Sequence, residues 1–303
     1  MKTFVIPQRE LPAAYEADVV VCGGGTAGVF AAISAAESGK RVLIVEQFGS
    51  LGGSATNGLV TPLMHSHIAG DPACSYISLR LREKLKLYGG VDGSGRAFDS
   101  TVLKLALEEL CAEAGVQLLY HTFISDVLVE NGVVKAVVAG NKSGTVVIAG
   151  DMFIDCTGDG DVSVLAGAQY AKGNPETGKN QPISLRYVVG GVDLTALGEF
   201  FKSELARTGV NHACSYTPPY SVYASVCGDG STLSELFKKA IDAGDLTVED
   251  HLYWQMFNIP GRNDCIAFNN PEFFDDTDGT DPDTLTKAFA LRPCSLDLSN
   301  VLL

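Results

Sequence analysis

The stretch that decides the fold is Asp18-Val-Val-Val-Cys-Gly-Gly-Gly-Thr-Ala-Gly28, which an alanine-rich run connects to Arg41-Val-Leu-Ile-Val-Glu46. This order predicts a buried strand, a tight glycine turn, a helix and a second, parallel strand. Gly23 can make the turn, Gly25 lets backbone amides approach a pyrophosphate, and Gly28 lets the helix pack closely on the strand. The stretch therefore predicts a dinucleotide site at the helix N-terminus, where the helix dipole favours anions.

The second strand ends in an acid. Glu46 lies 18 residues after Gly28, close to the spacing of roughly 20 at which such an acid binds a ribose hydroxyl. A carboxylate there accepts from a free 2′-hydroxyl and would repel a 2′-phosphate, so the pattern favours FAD or NAD and disfavours NADP. The alternative is a parallel strand–helix–strand unit without a ligand. The 33 glycines make chance matches common, but the two flanking apolar strands favour the ligand-binding interpretation.

Composition excludes several classes of function. The 303 residues carry a net charge of -14, which argues against nucleic acid or an anionic membrane surface as a partner. We find neither a signal peptide nor a run of roughly 18 apolar residues that could span a membrane. The eight cysteines form no C-x-x-C pair, which is typical of reduced thiols and excludes a zinc ribbon or a closely spaced redox dithiol. We therefore predict a cytoplasmic protein that binds no metal.

Periodicity predicts the remaining elements. Helices are expected over 74–87, 100–114, 193–205 and 233–243, with Asp99 or Ser100 as the N-cap of the second. Strands are expected over 116–120, 124–130, 133–139, 145–149, 152–156, 183–189 and 254–257. Asn131-Gly132 predicts a tight hairpin. The acidic stretch 275–283 has no carboxylate at either end of an EF-hand frame, so we interpret it as a solvated turn.

Three glycine-rich elements each follow a strand, namely residues 23–28, Gly52-Gly53 and Thr157-Gly158-Asp159. With the predicted three-stranded meander, they make the chain similar to FAD-dependent oxidoreductases of the glutathione-reductase-type flavoprotein fold. The resemblance covers residues 15–190 well and is weaker to about 286. It implies an α/β protein with a Rossmann-like FAD-binding domain, in which a parallel sheet carries a three-stranded antiparallel meander, and a second α+β substrate domain.

The resemblance also implies which residues hold FAD. They are Gly23, Gly25, Thr26, Ala27 and Gly28 at the pyrophosphate, Glu46 and Gln47 at the adenosine ribose, Gly53 and Ser54 along the pyrophosphate and ribityl chain, the backbone of Phe123 at the adenine, and Thr157 and Gly158 closing over the pyrophosphate.

The expected domains are an FAD-binding domain over 1–182, with a helical insertion at about 65–98, and a substrate domain over 183–303. Flavoproteins of this kind return to the FAD domain near their C-terminus, so we expect the second domain to be incomplete and the tail 289–303 to be weakly ordered. The expected function is hydride transfer between flavin and a small organic substrate. A truncated, non-catalytic dinucleotide-binding fragment and an NAD-linked dehydrogenase remain as alternatives.

No residue is predicted to be catalytic. His65 and His67 could donate protons to substrate, contact the flavin or attach it covalently, although a hydrogen-bonded or solvent-facing loop histidine is the ordinary role. Arg186 could clamp a substrate carboxylate, and a strand-edge salt bridge is its alternative. Asp159 and Asp161 are expected to cap the helix that follows them.

Overall fold

The computed structural model describes residues 2–4, 10–62, 72–92, 97–210, 214–217, 221–273, 282–283 and 286. The chain forms two compact units, of which the first contains residues 1–57 and 104–170 and the second contains residues 58–103 and 171–303. The domain limits expected from the sequence stay a prediction. His65, His67, the loop residues 93–96 and the tail 289–303 lie outside the described residues, as does most of the acidic stretch.

The described residues form eleven strands, seven α-helices and one 3-10 turn. The strands are β1 Ala13–Cys22, β2 Val42–Val45, β3 Gln117–Leu119, β4 Phe123–Glu130, β5 Val133–Asn141, β6 Gly144–Asp155, β7 Ile183–Gly190, β8 Cys214–Thr217, β9 Ser221–Val226, β10 Trp254–Ile259 and β11 Arg262–Phe273. The helices are α1 Thr26–Glu37, α2 Pro72–Leu87, α3 Ser100–Ala114, α4 Asp161–Leu165, α5 Leu194–Thr208, α6 Ser234–Ala243 and α7 Val248–Leu252, and a 3-10 turn covers Gly53–Ala55.

The first unit contains a six-stranded sheet in the order β3-β2-β1-β6-β5-β4. The pairs β3–β2, β2–β1 and β1–β6 are parallel, whereas β6–β5 and β5–β4 are antiparallel, so that β4, β5 and β6 form a meander. Val20, Val21 and Cys22 are fully buried in β1, as expected for a central strand with both faces covered. The predicted Rossmann-like sheet with a three-stranded meander is confirmed.

The meander follows the predicted turn chemistry at its first corner. Asn131 and Gly132 have φ of 50° and 76°, the left-handed pair that a two-residue hairpin requires. The strands expected over 145–149 and 152–156 were wrong as separate elements, because they form the single strand β6. Gly150 lies within β6 and does not break it, and a Cβ there would lie 2.8 Å from Cγ2 of Val20. The glycine instead permits close approach of a neighbouring strand's side chain.

The second unit contains a five-stranded antiparallel sheet in the order β7-β11-β10-β9-β8. One of its faces joins α5 and α6 in an apolar core that includes Phe201, Phe237 and the fully buried Trp254. The sequence did not predict β11, because Arg262-Asn-Asp lacks an apolar alternation and Pro271 disfavours a strand. Its position between β10 and β7 in the sheet stabilises it. The predicted α/β class with a second α+β unit is confirmed.

Two aspartates cap the helices α3 and α5. Asp193 accepts from the amides of Thr195 and Ala196, both at 3.0 Å. Asp99 accepts from the amide of Thr101 at 2.6 Å, so it rather than Ser100 caps α3. Within the described part of the chain, no helix is both long enough and apolar enough to cross a membrane.

The hairpin turn gives a direct test of backbone conformation. Replacing Gly132 by Ala should lower the free energy of unfolding by about 1 kcal/mol, because a non-glycine residue is disfavoured at positive φ. Gly140 in β5 is the matched control, since it has no positive φ and a Cβ there meets no described atom within 4 Å. Urea unfolding of both variants measures the difference. Equal stability of Gly132→Ala and Gly140→Ala would contradict the turn assignment.

Candidate functional site

Backbone hydrogen bonds join the three glycine-rich turns at the carboxyl ends of β1, β2 and β6. The amide of Gly23 donates to the carbonyl of Val45 at 2.8 Å, and the amide of Cys156 donates to that of Cys22 at 2.8 Å. Gly52 donates to the carbonyl of Gly24, also at 2.8 Å. The turns therefore form one connected edge of the sheet, which is where open α/β sheets bind ligands.

Two glycines in this edge have no room for a side chain. A Cβ on Gly23 would lie 2.3 Å from the carbonyl oxygen of Cys156, and the φ of Gly23 is +100°. A Cβ on Gly28 would lie 1.9 Å from the carbonyl oxygen of Gly23. The absence of side chains thus lets α1 lie directly against the end of β1, as the sequence predicted.

Gly25 differs from its neighbours because the space in front of it is open. A Cβ on this residue would meet no described atom within 4 Å, although Gly25 is the N-cap of α1. Gly25 has no side chain to cap the helix, and the first amides of the helix, at Thr26, Ala27 and Gly28, have no intrahelical acceptor. These amides and the helix dipole can bind an anion that approaches past Gly25.

Glu46 is a buried carboxylate that connects two of the turns. It is only 4% exposed, and its two oxygens accept from the amide of Gly24 at 2.6 Å and the amide of Phe48 at 2.7 Å. Each carboxylate oxygen has capacity for a further hydrogen bond, so the position suits a hydroxyl donor such as a ribose. Gln47 beside it is exposed.

The chain entering β4 lies alongside the residues that follow β2. Thr122 donates its amide to the carbonyl of Glu46 at 3.0 Å, and His121 donates to Phe48 at 3.2 Å. Phe123, the first residue of β4, is 56% exposed, and Phe48 is 49% exposed. The two exposed aromatic rings thus lie on segments that backbone hydrogen bonds join. They offer a flat apolar surface of the kind that can stack on a base.

Asp155, which the sequence analysis missed, organises the third turn. Its carboxylate accepts from the hydroxyl and amide of Ser163, both at 2.7 Å, and from the hydroxyl of Thr157 at 2.8 Å. Burial alone would raise the pKa of Asp155, but these hydrogen bonds lower it below its usual value. The available signal was an acid followed, two and eight residues later, by hydroxyl side chains.

The expected helix caps after this turn were wrong. Gly160, in the left-handed conformation, is the N-cap of α4, and no side chain bonds the cap position. Thr157 instead accepts from the amide of Asp161 through its hydroxyl at 2.9 Å. The positive φ of Gly160 turns the chain into the helix, so neither Asp159 nor Asp161 is the cap.

The structure places every residue predicted to hold the cofactor in the first unit. They lie on the three turns, on the first turn of α1 or at the start of β4, and they are Gly23, Gly25, Thr26, Ala27, Gly28, Glu46, Gln47, Gly53, Ser54, Phe123, Thr157 and Gly158. Arg186 lies on β7 in the second unit. Burial raises the pKa of the Cys22 thiol to about 12, so that cysteine stays protonated and acts as a packing residue.

The parallel sheet, the glycine turns, the open helix N-terminus and the buried acid define a dinucleotide-binding protein. The model of the FAD dependent oxidoreductase family matches residues 18–289. The chain belongs to this family. The observed cradle fits the cofactor, because Gly25 leaves free the space that a pyrophosphate requires.

Curated relatives support the assignment. The chain is 31% identical over 225 residues to thiamine thiazole synthase from Methanococcus aeolicus. The aligned region covers 71% of this chain and 75% of that protein. It is 32% identical over 135 residues to digeranylgeranylglycerophospholipid reductase from Methanosphaerula palustris. That aligned region covers 40% of this chain and 33% of the reductase. The match to thiamine thiazole synthase from Aeropyrum pernix spans 43% of that protein at 34% identity.

A solved structure shows the same fold. The flavin-dependent brominase Bmp2 superimposes with a TM-score of 0.52 over 94% of this chain and 63% of the brominase, at 14% identity. At that identity the likeness concerns the fold alone. The chain spans less than two thirds of the brominase and of two of the curated relatives.

Two glycine variants separate folding from binding. Gly25→Ala should leave the free energy of unfolding within about 0.5 kcal/mol of the parent, because its Cβ enters open space. It should weaken FAD binding at least tenfold by occupying the pyrophosphate position. Gly28→Ala should instead destabilise the fold by about 3 kcal/mol or more, since overpacking forces backbone shifts. Urea unfolding and FAD titration measure both effects. If Gly25→Ala binds FAD like the parent, the pyrophosphate does not lie there.

Proposed function

We propose that this chain binds FAD across the carboxyl edge of its six-stranded sheet and works as an oxidoreductase on a small organic substrate. The observation that carries the proposal is the convergence of three glycine turns beside the open N-terminus of α1. Membership of the FAD dependent oxidoreductase family supports it. When bound, the flavin supplies the ability to accept or give a hydride, and the protein binds, orients and shields it.

Each part of the site has a proposed task. The amides at the start of α1 bind the pyrophosphate, because the unpaired N–H groups and the helix dipole leave partial positive charge there. Glu46 accepts from a ribose hydroxyl, with Gln47 beside it. Gly53 and Ser54 follow the pyrophosphate and ribityl chain, Phe123 meets the adenine through its backbone, and Thr157 and Gly158 close over the phosphates.

Hydrogen bonds within the chain hold the site in shape before a ligand arrives. Glu46 fixes the turn after β1 through Gly24, and Asp155 fixes the turn after β6 through Thr157. A site whose donors are already oriented loses less conformational entropy on binding. This organisation supports a binding role for the edge over a purely structural strand–helix–strand unit.

The substrate is not carried over from the relatives. One is named as a thiazole synthase and another as a phospholipid reductase, so we propose FAD as the cofactor from the family match and take no substrate from these names. An NAD-linked dehydrogenase is disfavoured by family membership, although Glu46 suits the ribose of either cofactor. We also propose a cytoplasmic location, supported by the free thiols of Cys22, Cys111, Cys156, Cys227 and Cys265.

The absorbance of the purified protein tests the proposal most simply. After incubation with FAD and removal of the excess, we expect flavin bands at close to one flavin per chain. The same incubation with NAD, followed by release and assay of bound nucleotide, is the comparison. A colourless protein that retains no FAD would overturn the proposal, and retention of NAD instead would favour the dehydrogenase alternative.

The ribose contact is tested by Glu46→Gln, which removes the charge but retains an acceptor for one of the two buried amides. We expect FAD affinity to fall by about 1.5–3 kcal/mol, the scale of a hydrogen bond to a charged group. Glu130→Gln, an exposed acid at the far end of β4, is the control and should bind as the parent does. Fluorescence titration of FAD measures the affinities. Parent-like binding by a folded Glu46→Gln would show that this carboxylate does not contact the ribose.

A further inference from the structure

The antiparallel sheet of the second unit has two chemically different faces. Tyr187, Phe268, Met256 and Ala224 lie opposite one another on adjacent strands and belong to the apolar core with α5 and α6. Because side chains alternate along a strand, the next residue on each strand points to the other face.

The other face carries a polar row across four strands. Cross-strand pairing places Arg186 opposite Asn269, Asn269 opposite Gln255, and Gln255 opposite Ser225. Asn269 is only 3% exposed and Ser225 only 4%. Buried polar side chains are almost always hydrogen-bonded, so each polar atom of this row requires a partner.

Two atoms of the row have no hydrogen-bond partner among the described residues, and they lie on directly opposed residues. They are Nη1 of Arg186, which is a charged donor, and Oδ1 of Asn269, which is an acceptor, and both atoms are buried. The amide nitrogen of Asn269 donates to the hydroxyl of Tyr253 at 3.4 Å and to Oε1 of Gln255 at 3.5 Å. In this orientation of the amide, Oδ1 has no hydrogen-bond partner among the described residues.

The charge and burial of Arg186 also favour an anionic partner. Burial lowers the pKa of Arg186, while Tyr253 and Glu272 act in the opposite direction. A guanidinium remains charged in proteins even so. A buried, incompletely paired cation costs free energy, and a carboxylate is the group whose planar geometry matches its fork.

An apolar row runs beside the polar one on the same face. Phe257 is 6% exposed and Ala267 is 2% exposed, and these two residues are paired across β10 and β11. The ring of Tyr223 lies 5.5 Å from that of Phe257. A ligand held by Arg186 would therefore have its carbon skeleton beside apolar side chains.

We propose that Arg186 and Asn269 bind the carboxylate end of a small organic acid that carries a hydrogen-bond donor on the adjacent carbon. The guanidinium of Arg186 donates to the carboxylate, and Oδ1 of Asn269 accepts from the neighbouring hydroxyl or ammonium. This assignment rests on the proposed function, because it names the substrate class of the oxidoreductase.

Isothermal titration calorimetry of the full chain, supplied with FAD, tests the assignment with four probes. Glycolate and glycine carry the carboxylate with a hydroxyl or an ammonium donor, acetate lacks the donor, and glycolamide lacks the charge. We expect glycolate or glycine to bind at least tenfold more tightly than glycolamide, the size of a charge-assisted hydrogen bond, and more tightly than acetate. The stronger of the first two identifies the donor as hydroxyl or ammonium.

Variants then identify the side chain. Arg186→Gln should lose the preference for glycolate or glycine over glycolamide, and Arg186→Lys should retain part of it because the charge remains without the fork. Arg207→Gln is the matched control, since this exposed arginine bonds Glu204 and Glu235 on the surface, and it should bind all probes as the parent does.

The outcomes separate the two proposals, because flavin absorbance is recorded on the same samples. Bound flavin together with equal binding of glycolate, glycine and glycolamide, or with no binding of any probe, overturns the carboxylate assignment and leaves the cofactor assignment standing. Discrimination between the probes in a protein that retains no flavin supports the Arg186 site and overturns the cofactor assignment. Unchanged discrimination in folded Arg186→Gln assigns the carboxylate elsewhere and overturns the inference.

Discussion

The close approach of α1 to the end of β1 is the constraint on which the site depends. It exists because Gly28 faces the carbonyl of Gly23, where a Cβ would lie 1.9 Å from the oxygen. The absence of a side chain likewise lets Gly23 lie against the backbone of Cys156, at the end of β6. These contacts bring a helix N-terminus and two strand ends to one place, and every proposed contact with a dinucleotide follows from that arrangement.

Two acids, the buried Glu46 and the partly buried Asp155, then hold the turns that the glycines bring together. Glu46 accepts amides from the turns after β1 and β2, and Asp155 accepts hydroxyl and amide donors from the turn after β6. Replacing Glu46 by an apolar residue would leave the buried amide of Gly24 unpaired, which costs about 1–3 kcal/mol. The site therefore uses its own carboxylates to organise a surface that presents amides to an anion.

The predictable features were those that short-range physics determines. The glycine pattern, the Asn131-Gly132 hairpin and the Asp99 cap each depend on a few neighbouring residues, and the structure contains all three. The β11 strand depends on pairing with β7 and β10, and the continuity of β6 depends on its long register with β1. Asp155 was missed for the same reason, because its role exists only once Ser163 folds back beside it.

Hydrogen–deuterium exchange with and without FAD tests the central claim most directly, because it reports on backbone amides at all three turns at once. We predict that saturating FAD slows exchange in peptides covering residues 23–28, 46–54 and 155–163, and leaves the α6 helix at 234–243 unchanged. Protection confined to other segments, while FAD is demonstrably bound, would show that the dinucleotide does not lie across the joined glycine turns.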